Sequence, residues 1–233
     1  MDNMSSIIKS MEKYKGKERQ HLIADYYYET SDTDSLVKMP ASFFGELLAN
    51  EEDSICKWFE IKAIGYLKAD EYVDEILSII MSPDVNFEGG SSLHLIAAKA
   101  MGDFGKTVIP KLIKAWTIAS GETRIALIDS LGEMRCEEAA EALESILGGL
   151  NTKEFVYASL ALSKCKTKGN DILKKIFEEA DRPSKLIIID ALAGSADNDV
   201  FLNEVSVKHP DVFSDALSIN SERILQFKNR TIG

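Results

Sequence analysis

Five short stretches share one pattern: Ala63-Ile64-Gly65-Tyr66-Leu67, Ala100-Met101-Gly102-Asp103-Phe104, Ser130-Leu131-Gly132-Glu133-Met134, Ala161-Leu162-Ser163-Lys164-Cys165 and Ala191-Leu192-Ala193-Gly194-Ser195. Their centres fall at positions 65, 102, 132, 163 and 193, so the pattern recurs every 30 to 37 residues. A sixth, weaker copy precedes them, with Tyr27 at the centre. A period of this size marks a repeat protein, in which each unit buries its apolar face only against its neighbours.

Working outward, each centre closes an apolar segment of helical period, such as Leu93 to Met101, Ile125 to Leu131, Val156 to Leu162 and Leu186 to Leu192. A short connection and a second amphipathic segment follow. Its apolar stripe reads Val73, Ile76, Leu77 and Ile80 in the first copy, and Ile109, Leu112, Ile113 and Trp116 in the second. In the third it reads Ala139, Leu143, Ile146 and Leu147, and in the fourth Ile172, Leu173, Ile176 and Phe177. Spacings of i, i+3, i+4 and i+7 put these residues on one helix face. The punctuation agrees. Asn151 with Glu154 predicts a capping box, Asp181 with Pro183 a helix start, and Pro110 the first turn of a second helix. Pro40, Pro83 and Pro210 also fall at helix starts or in connections.

The expected fold is therefore all-α: an α-solenoid of about five to six stacked antiparallel helix pairs, each helix roughly a dozen residues long. One domain is expected over residues 1–233, with an N-terminal cap helix in 1–16, repeats in 17–208 and a C-terminal cap in 209–233. The small residue at each centre is expected at a tight turn or where two helices approach closely. Exposed loops are expected at Ser31-Asp32-Thr33-Asp34 and from Ser82-Pro83 to Ser92.

Composition supports this reading. The chain has 233 residues, 45% of them hydrophobic, with only 14 Gly and 5 Pro. Such a chain can fill a core and favours helix. No apolar run reaches the ~18 residues of a membrane span, and the first residues lack the apolar region of a secretory signal. The three cysteines, Cys56, Cys136 and Cys165, are odd in number and far apart, which suits a reducing compartment. A cytoplasmic location is expected, with no membrane contact.

The segment Val108-Ile109-Pro110-Lys111-Leu112-Ile113-Lys114, following Ala100-Met101-Gly102, resembles HEAT-like repeats. The variety of ~30 residues first described in phycobilisome-lyase relatives is the most similar. The resemblance covers residues 53–208, or 17–208 with the weaker first copy. It implies an α-solenoid whose second helices line the concave face. Such proteins serve mostly as protein-binding scaffolds, and a few are enzymes.

The net charge is −11. Residues 1–20 and 221–233 each carry +2, which leaves −15 on the repeat body. Phosphate contacts need clustered Lys and Arg, so nucleic acid is not an expected partner. HEAT-like DNA glycosylases, which resemble this chain in size and helical repeats, need a basic concave surface that it lacks. Charge is patterned by repeat. The second helix of the first copy carries Asp70, Glu71, Asp74 and Glu75; that of the second carries Lys106, Lys111 and Lys114; that of the third carries Glu137, Glu138, Glu141 and Glu144. The candidate partner-binding residues are Glu71, Asp74, Glu75, Lys111, Lys114, Glu137, Glu141 and Glu144. The competing reading is a solvated face whose neighbouring helices exchange weak ion pairs.

Other motifs carry less. Gly102-Asp103-Phe104-Gly105-Lys106-Thr107 departs from the phosphate-loop spacing and reads as a helix–helix turn. His21, His94 and His209 share no helix face, so no metal site, catalytic residue or cofactor is expected. Cys165 occupies a packing slot, whereas Cys56 and Cys136 lie near helix starts and are expected to be partly exposed. Trp58 and Trp116 fall on core-facing stripes. Three consecutive tyrosines, Tyr26-Tyr27-Tyr28, span about 200° of a helix, so one or two of them should face solvent.

The main functional expectation is a non-enzymatic module that binds a protein partner in its concave groove. A narrower version is a stoichiometric inhibitor or immunity protein for a basic toxin, with electrostatic steering of the encounter. The alternative is a lyase-like or chromophore-handling enzyme subunit of the HEAT-repeat type. It would work with a partner subunit or through Cys56 or Cys136. A purely structural subunit of an assembly is a third reading.

Overall fold

Helix starts follow the side chains that can satisfy free backbone N–H groups. Asp53 accepts from the backbone of Ile55 and Cys56, each at 3.0 Å, and opens α4 (Ser54–Tyr66). Asn151 and Glu154 form the expected capping box at α10 (Thr152–Lys164), with bonds of 3.0 and 3.1 Å. Asp181 accepts from Ser184 at 2.9 Å ahead of α12 (Arg182–Ala193), with Pro183 in its first turn. Pro110 occupies the first turn of α7 (Ile109–Ile118).

The structure is a computed structural model that describes residues 3–29, 39–82 and 93–231, excluding the side chains of 3–5, 8 and 25–29. The loop expected at 31–34, that from Pro83 to Ser92 and the exposure expected of Tyr26–Tyr28 lie outside the described residues. Among the described residues every regular element is helical. The chain divides into two compact units, Met1–Met134 and Arg135–Gly233.

In the first unit, α1 (Asn3–Ser10) packs on α2 (Gly16–Glu29), and α2 and α3 (Ala41–Ala49) both pack on α4. The first helices α4, α6 (Leu93–Phe104) and α8 (Gly121–Met134) then stack in a row. The second helix α5 (Val73–Met81) packs on α6 and α8, and α7 packs on α8. In the second unit, α9 (Glu137–Ile146) packs on α10 and α11 (Lys166–Phe177), and α10 packs on α11 and α12. There α12 also carries α13 (Asp199–Lys208), α14 (Pro210–Leu217) and α15 (Glu222–Thr231). Each unit is thus an α-solenoid stack.

The expected stripes form the core, with drift. Val73, Ile76 and Ile80 of α5 are buried, as are Ala139, Leu143 and Ile146 of α9, and Ile172, Leu173 and Phe177 of α11. On α7 only Leu112 of the expected stripe is buried, joined by Ala115. Trp116 stays half-buried under the Arg124 guanidinium, 4.3 Å from the ring centroid. Trp58 is half-buried too, beneath Lys62.

The small residues mark close helix approach, not the turn itself. A Cβ on Gly65 would lie 2.6 Å from the Ala100 Cα, and one on Gly102 would lie 2.5 Å from the Glu133 Cβ. The turn comes three residues later, where the backbone is left-handed at Lys68 (φ 51°), Gly105 (φ 78°), Arg135 (φ 53°) and Lys166 (φ 55°). The stretch Gly102 to Thr107 is accordingly a helix–helix turn. The fifth copy departs from this pattern. There Asn198, buried, donates its side-chain amide to the carbonyl of Leu192 at 3.0 Å.

Candidate functional site

The second helices hold the charged positions. In the first unit Asp74 on α5 and Lys111 on α7 form an ion pair of 2.6 Å, both exposed. They sit at the edge of a groove of about 340 Å³, lined also by Leu77, Met81, Lys114, Ala115 and Ile118. Ile118 is 79% exposed, an unusual state for an isoleucine. Lys114 makes no ion pair among the described residues, so the groove joins an apolar floor to a free ammonium group. Glu71 lies in the turn before α5, exposed, and Glu75 is half-exposed on α5.

In the second unit the acidic residues of α9 face the lysines of α11. Glu141 pairs with Lys168 at 3.1 Å and Glu144 with Lys175 at 3.3 Å. The Glu141 hydrogen bond raises the Lys168 pKa above the usual lysine value, and Glu144 and Glu137 add to the effect. Glu137 itself is exposed on the first turn of α9. Of the eight charged candidates, the structure therefore gathers Asp74, Lys111 and Lys114 around one groove. It commits Glu141 and Glu144 to pairs about one repeat apart.

The cysteines separate sharply. Cys56 is fully buried, and burial with Glu51 and Asp53 nearby pushes its thiol far above the ordinary range. The expectation that Cys56 is partly exposed is corrected: the first residue of α2 lies against it, and its thiol donates to the Gly16 carbonyl at 3.5 Å. Cys165 is also buried, and burial raises it to about 11 with Cys136 adding. Cys136 is half-buried at the N-cap of α9.

A buried charge cluster was not anticipated. Arg19 on α2 contacts Glu51 at 2.7 Å and Glu60 at 2.6 Å, and all three side chains are buried. The available signal was Glu60 itself, a lone charge inside the apolar run Phe59-Glu60-Ile61.

Residues 123–149, from within α8 to the turn after α9, match the family described as PBS lyase HEAT-like repeat. That segment is a HEAT-like repeat. Among solved structures the chain is similar to the complex of CpcE and CpcF of phycocyanin lyase from Nostoc sp. PCC7120. That likeness has 16% identity and a TM-score of 0.37 over 82% of this chain and 93% of the other. It is too slight to fix the placement of helices or an activity. No curated protein matches the chain in sequence.

The family match corrects two expectations. The repeat it meets is of the lyase type, which favours the lyase-like reading over a non-enzymatic inhibitor or immunity protein. The expectation that the chain takes no part in an enzyme falls with it. Composition and motif spacing misled here because a solenoid of this kind need carry no recognisable catalytic constellation. No helix among the described residues is long and apolar enough to cross a membrane.

Proposed function

We propose that this protein is a lyase-like, chromophore-handling enzyme subunit that acts together with a protein partner. The observation that carries the reading is the lyase-type repeat at residues 123–149. The charged second helices support a protein surface as the partner, through Glu71, Asp74, Glu75, Lys111, Lys114, Glu137, Glu141 and Glu144. The net charge of −15 between residues 21 and 220 favours a basic protein over nucleic acid. Free cysteines suit the reducing cytoplasm. If a thiol of this chain takes part, Cys136 is the accessible one.

The test is reconstitution. The full chain, with the protein that co-purifies with it, is mixed with a free chromophore and an acceptor protein, and the acceptor's mass is followed. Covalent attachment or release that needs both proteins is the expected result. No change in acceptor mass, with unaltered chromoprotein in a host lacking the gene, would overturn the reading.

A further inference from the structure

We propose that the seating of α2 on α4 is a proton-controlled latch: one proton held among Arg19, Glu51 and Glu60 keeps α2 seated, and its loss loosens α2.

The three side chains come from three segments: α2, the connection before α4, and α4 itself. Their residues are 1%, 5% and 0% exposed. A single guanidinium nitrogen, Arg19 Nη1, serves both carboxylates, at 2.7 Å from Glu51 Oε2 and 2.6 Å from Glu60 Oε1. Arg19 Nε is already committed to the carbonyls of Met11 at 3.0 Å and Tyr14 at 2.9 Å. With every group ionised, one cation faces two anions, and an uncompensated negative charge is left away from water.

The two carboxylates are not equivalent. Glu51 Oε1 accepts the backbone N–H groups of Glu52 and Asp53, both at 2.9 Å, which holds Glu51 as the anion. Among the described residues Glu51 Oε2 and Glu60 Oε2 are both buried with no hydrogen-bond partner, but Glu60 has no backbone N–H on either oxygen and accepts only from Arg19. Glu60 therefore takes the proton. Burial, with Glu51 adding and Arg19 opposing, raises its carboxyl to about 7. The other titratable groups around the cluster are Asp53 from the connection, and Lys57 and Cys56 from α4. Of the remaining elements on α4, α3 brings Phe44 against Phe59, and α6 brings Ala100 to Gly65.

The cluster borders the surface at Glu51. A cleft of about 640 Å³, lined by Lys15, Gly16, Asn50, Glu51, Glu52 and Asp53, lies where the start of α2 meets the connection. The sign follows from linkage. The seated state holds the proton up to about pH 7, whereas a free glutamate loses it near 4.5. The stabilisation is therefore fully present below about pH 4.5 and is lost as pH rises through about 7.

Hydrogen exchange on the full chain tests the latch. Peptides covering residues 16–24 are followed from pH 5 to 8.5, with rates corrected for intrinsic base catalysis, and peptides of α12 serve as control. The expected result is a fall in α2 protection of up to about tenfold per pH unit below pH 7 that flattens above it. The α12 peptides should not follow this fall, and Glu60→Gln should abolish it. A pH-independent α2, an equal fall in α12, or a fall that persists in Glu60→Gln would overturn the proposal. Should Glu60→Gln not fold, the wild-type comparison of α2 with α12 decides alone.

Discussion

Gly65 and Ala100 approach so closely that a Cβ on the glycine would lie 2.6 Å from the alanine Cα and 2.7 Å from its Cβ. Neither atom can swing away, because one is backbone and the other has no rotamer. Gly102 faces Glu133 in the same way, with the backbone carbonyl carbon only 3.0 Å from the added atom. Gly65→Ala and Gly102→Ala should each cost about 1–3 kcal/mol, the usual penalty for overpacking. Urea unfolding at neutral pH measures this. A loss below about 0.5 kcal/mol in both variants would mean that the rows α4–α6–α8 slide apart easily.

Among the described residues Arg19 is the only buried cation in its cluster. Arg19→Met keeps the apolar volume but leaves Glu51 and Glu60 without it. Breaking a buried pair by removing one partner costs about 3–5 kcal/mol. The first unit should therefore unfold at markedly lower urea at pH 7, and lower pH should recover part of the loss as Glu60 is protonated. Stability unchanged within about 1 kcal/mol would show that water already reaches the guanidinium.

The turn after each repeat centre gives a prediction of the opposite sign. Lys166 holds φ at 55° and is exposed. A left-handed backbone costs a residue with a Cβ about 1–2 kcal/mol, a penalty that glycine escapes. Part of that gain is offset by the freedom glycine adds to the unfolded chain. Lys166→Gly should raise stability by about 0.5–1 kcal/mol, read as a higher urea midpoint with unchanged slope. A lower midpoint would mean that the lysine side chain makes contacts that outweigh the strain.

These turns also show what was legible in the sequence. The repeat centres could be read because helix rows must touch through small residues, and that need recurs in register. The left-handed position three residues later could not, since only Gly105 among Lys68, Gly105, Arg135 and Lys166 signals it by type. The stripes of α5, α9 and α11 could be read from apolar spacing. The α7 stripe was overstated, because Ile113 and Trp116 lie at its margin. The Arg19–Glu60 pair spans 41 residues, and the positions equivalent to Glu60 in the other copies are Ala97, Leu127, Ala158 and Ile188, so no periodicity reveals it. The charged second helices were legible as a pattern. Which of them pair with one another depends on the stacking of neighbours, as the Asp74–Lys111 and Glu144–Lys175 pairs show.

The capping box at α10 can be tested by a single atom group. Asn151 Oδ1 accepts from the Glu154 backbone at 3.0 Å, and Glu154 returns a bond to the Asn151 N–H at 3.1 Å. Asn151→Ala removes the acceptor and should destabilise the second unit by about 1 kcal/mol. Asn151→Asp, which keeps the acceptor, should retain most of the stability. Equal losses in both variants would show that the cap is replaced by solvent.

The thiols give the last prediction. A nucleophilic thiol needs both access and a thiolate. Cys56 has neither: it is fully buried, and its thiol is pushed far up by burial beside Glu51 and Asp53. Cys165 is 3% exposed and raised to about 11. Cys136 alone is half-buried, at the start of α9 where backbone N–H groups point outward. A chromogenic thiol reagent at pH 6, where the Glu60 proton is held and α2 is seated, should therefore label one of three cysteines in the folded protein, and all three in denaturant. Cys136→Ser should abolish the native reaction while leaving the denatured count at two. Native labelling of Cys56 at pH 6, identified by peptide mass, would show that the start of α2 opens readily even while the Glu60 proton is held. The same α2 peptides should then exchange fast at that pH.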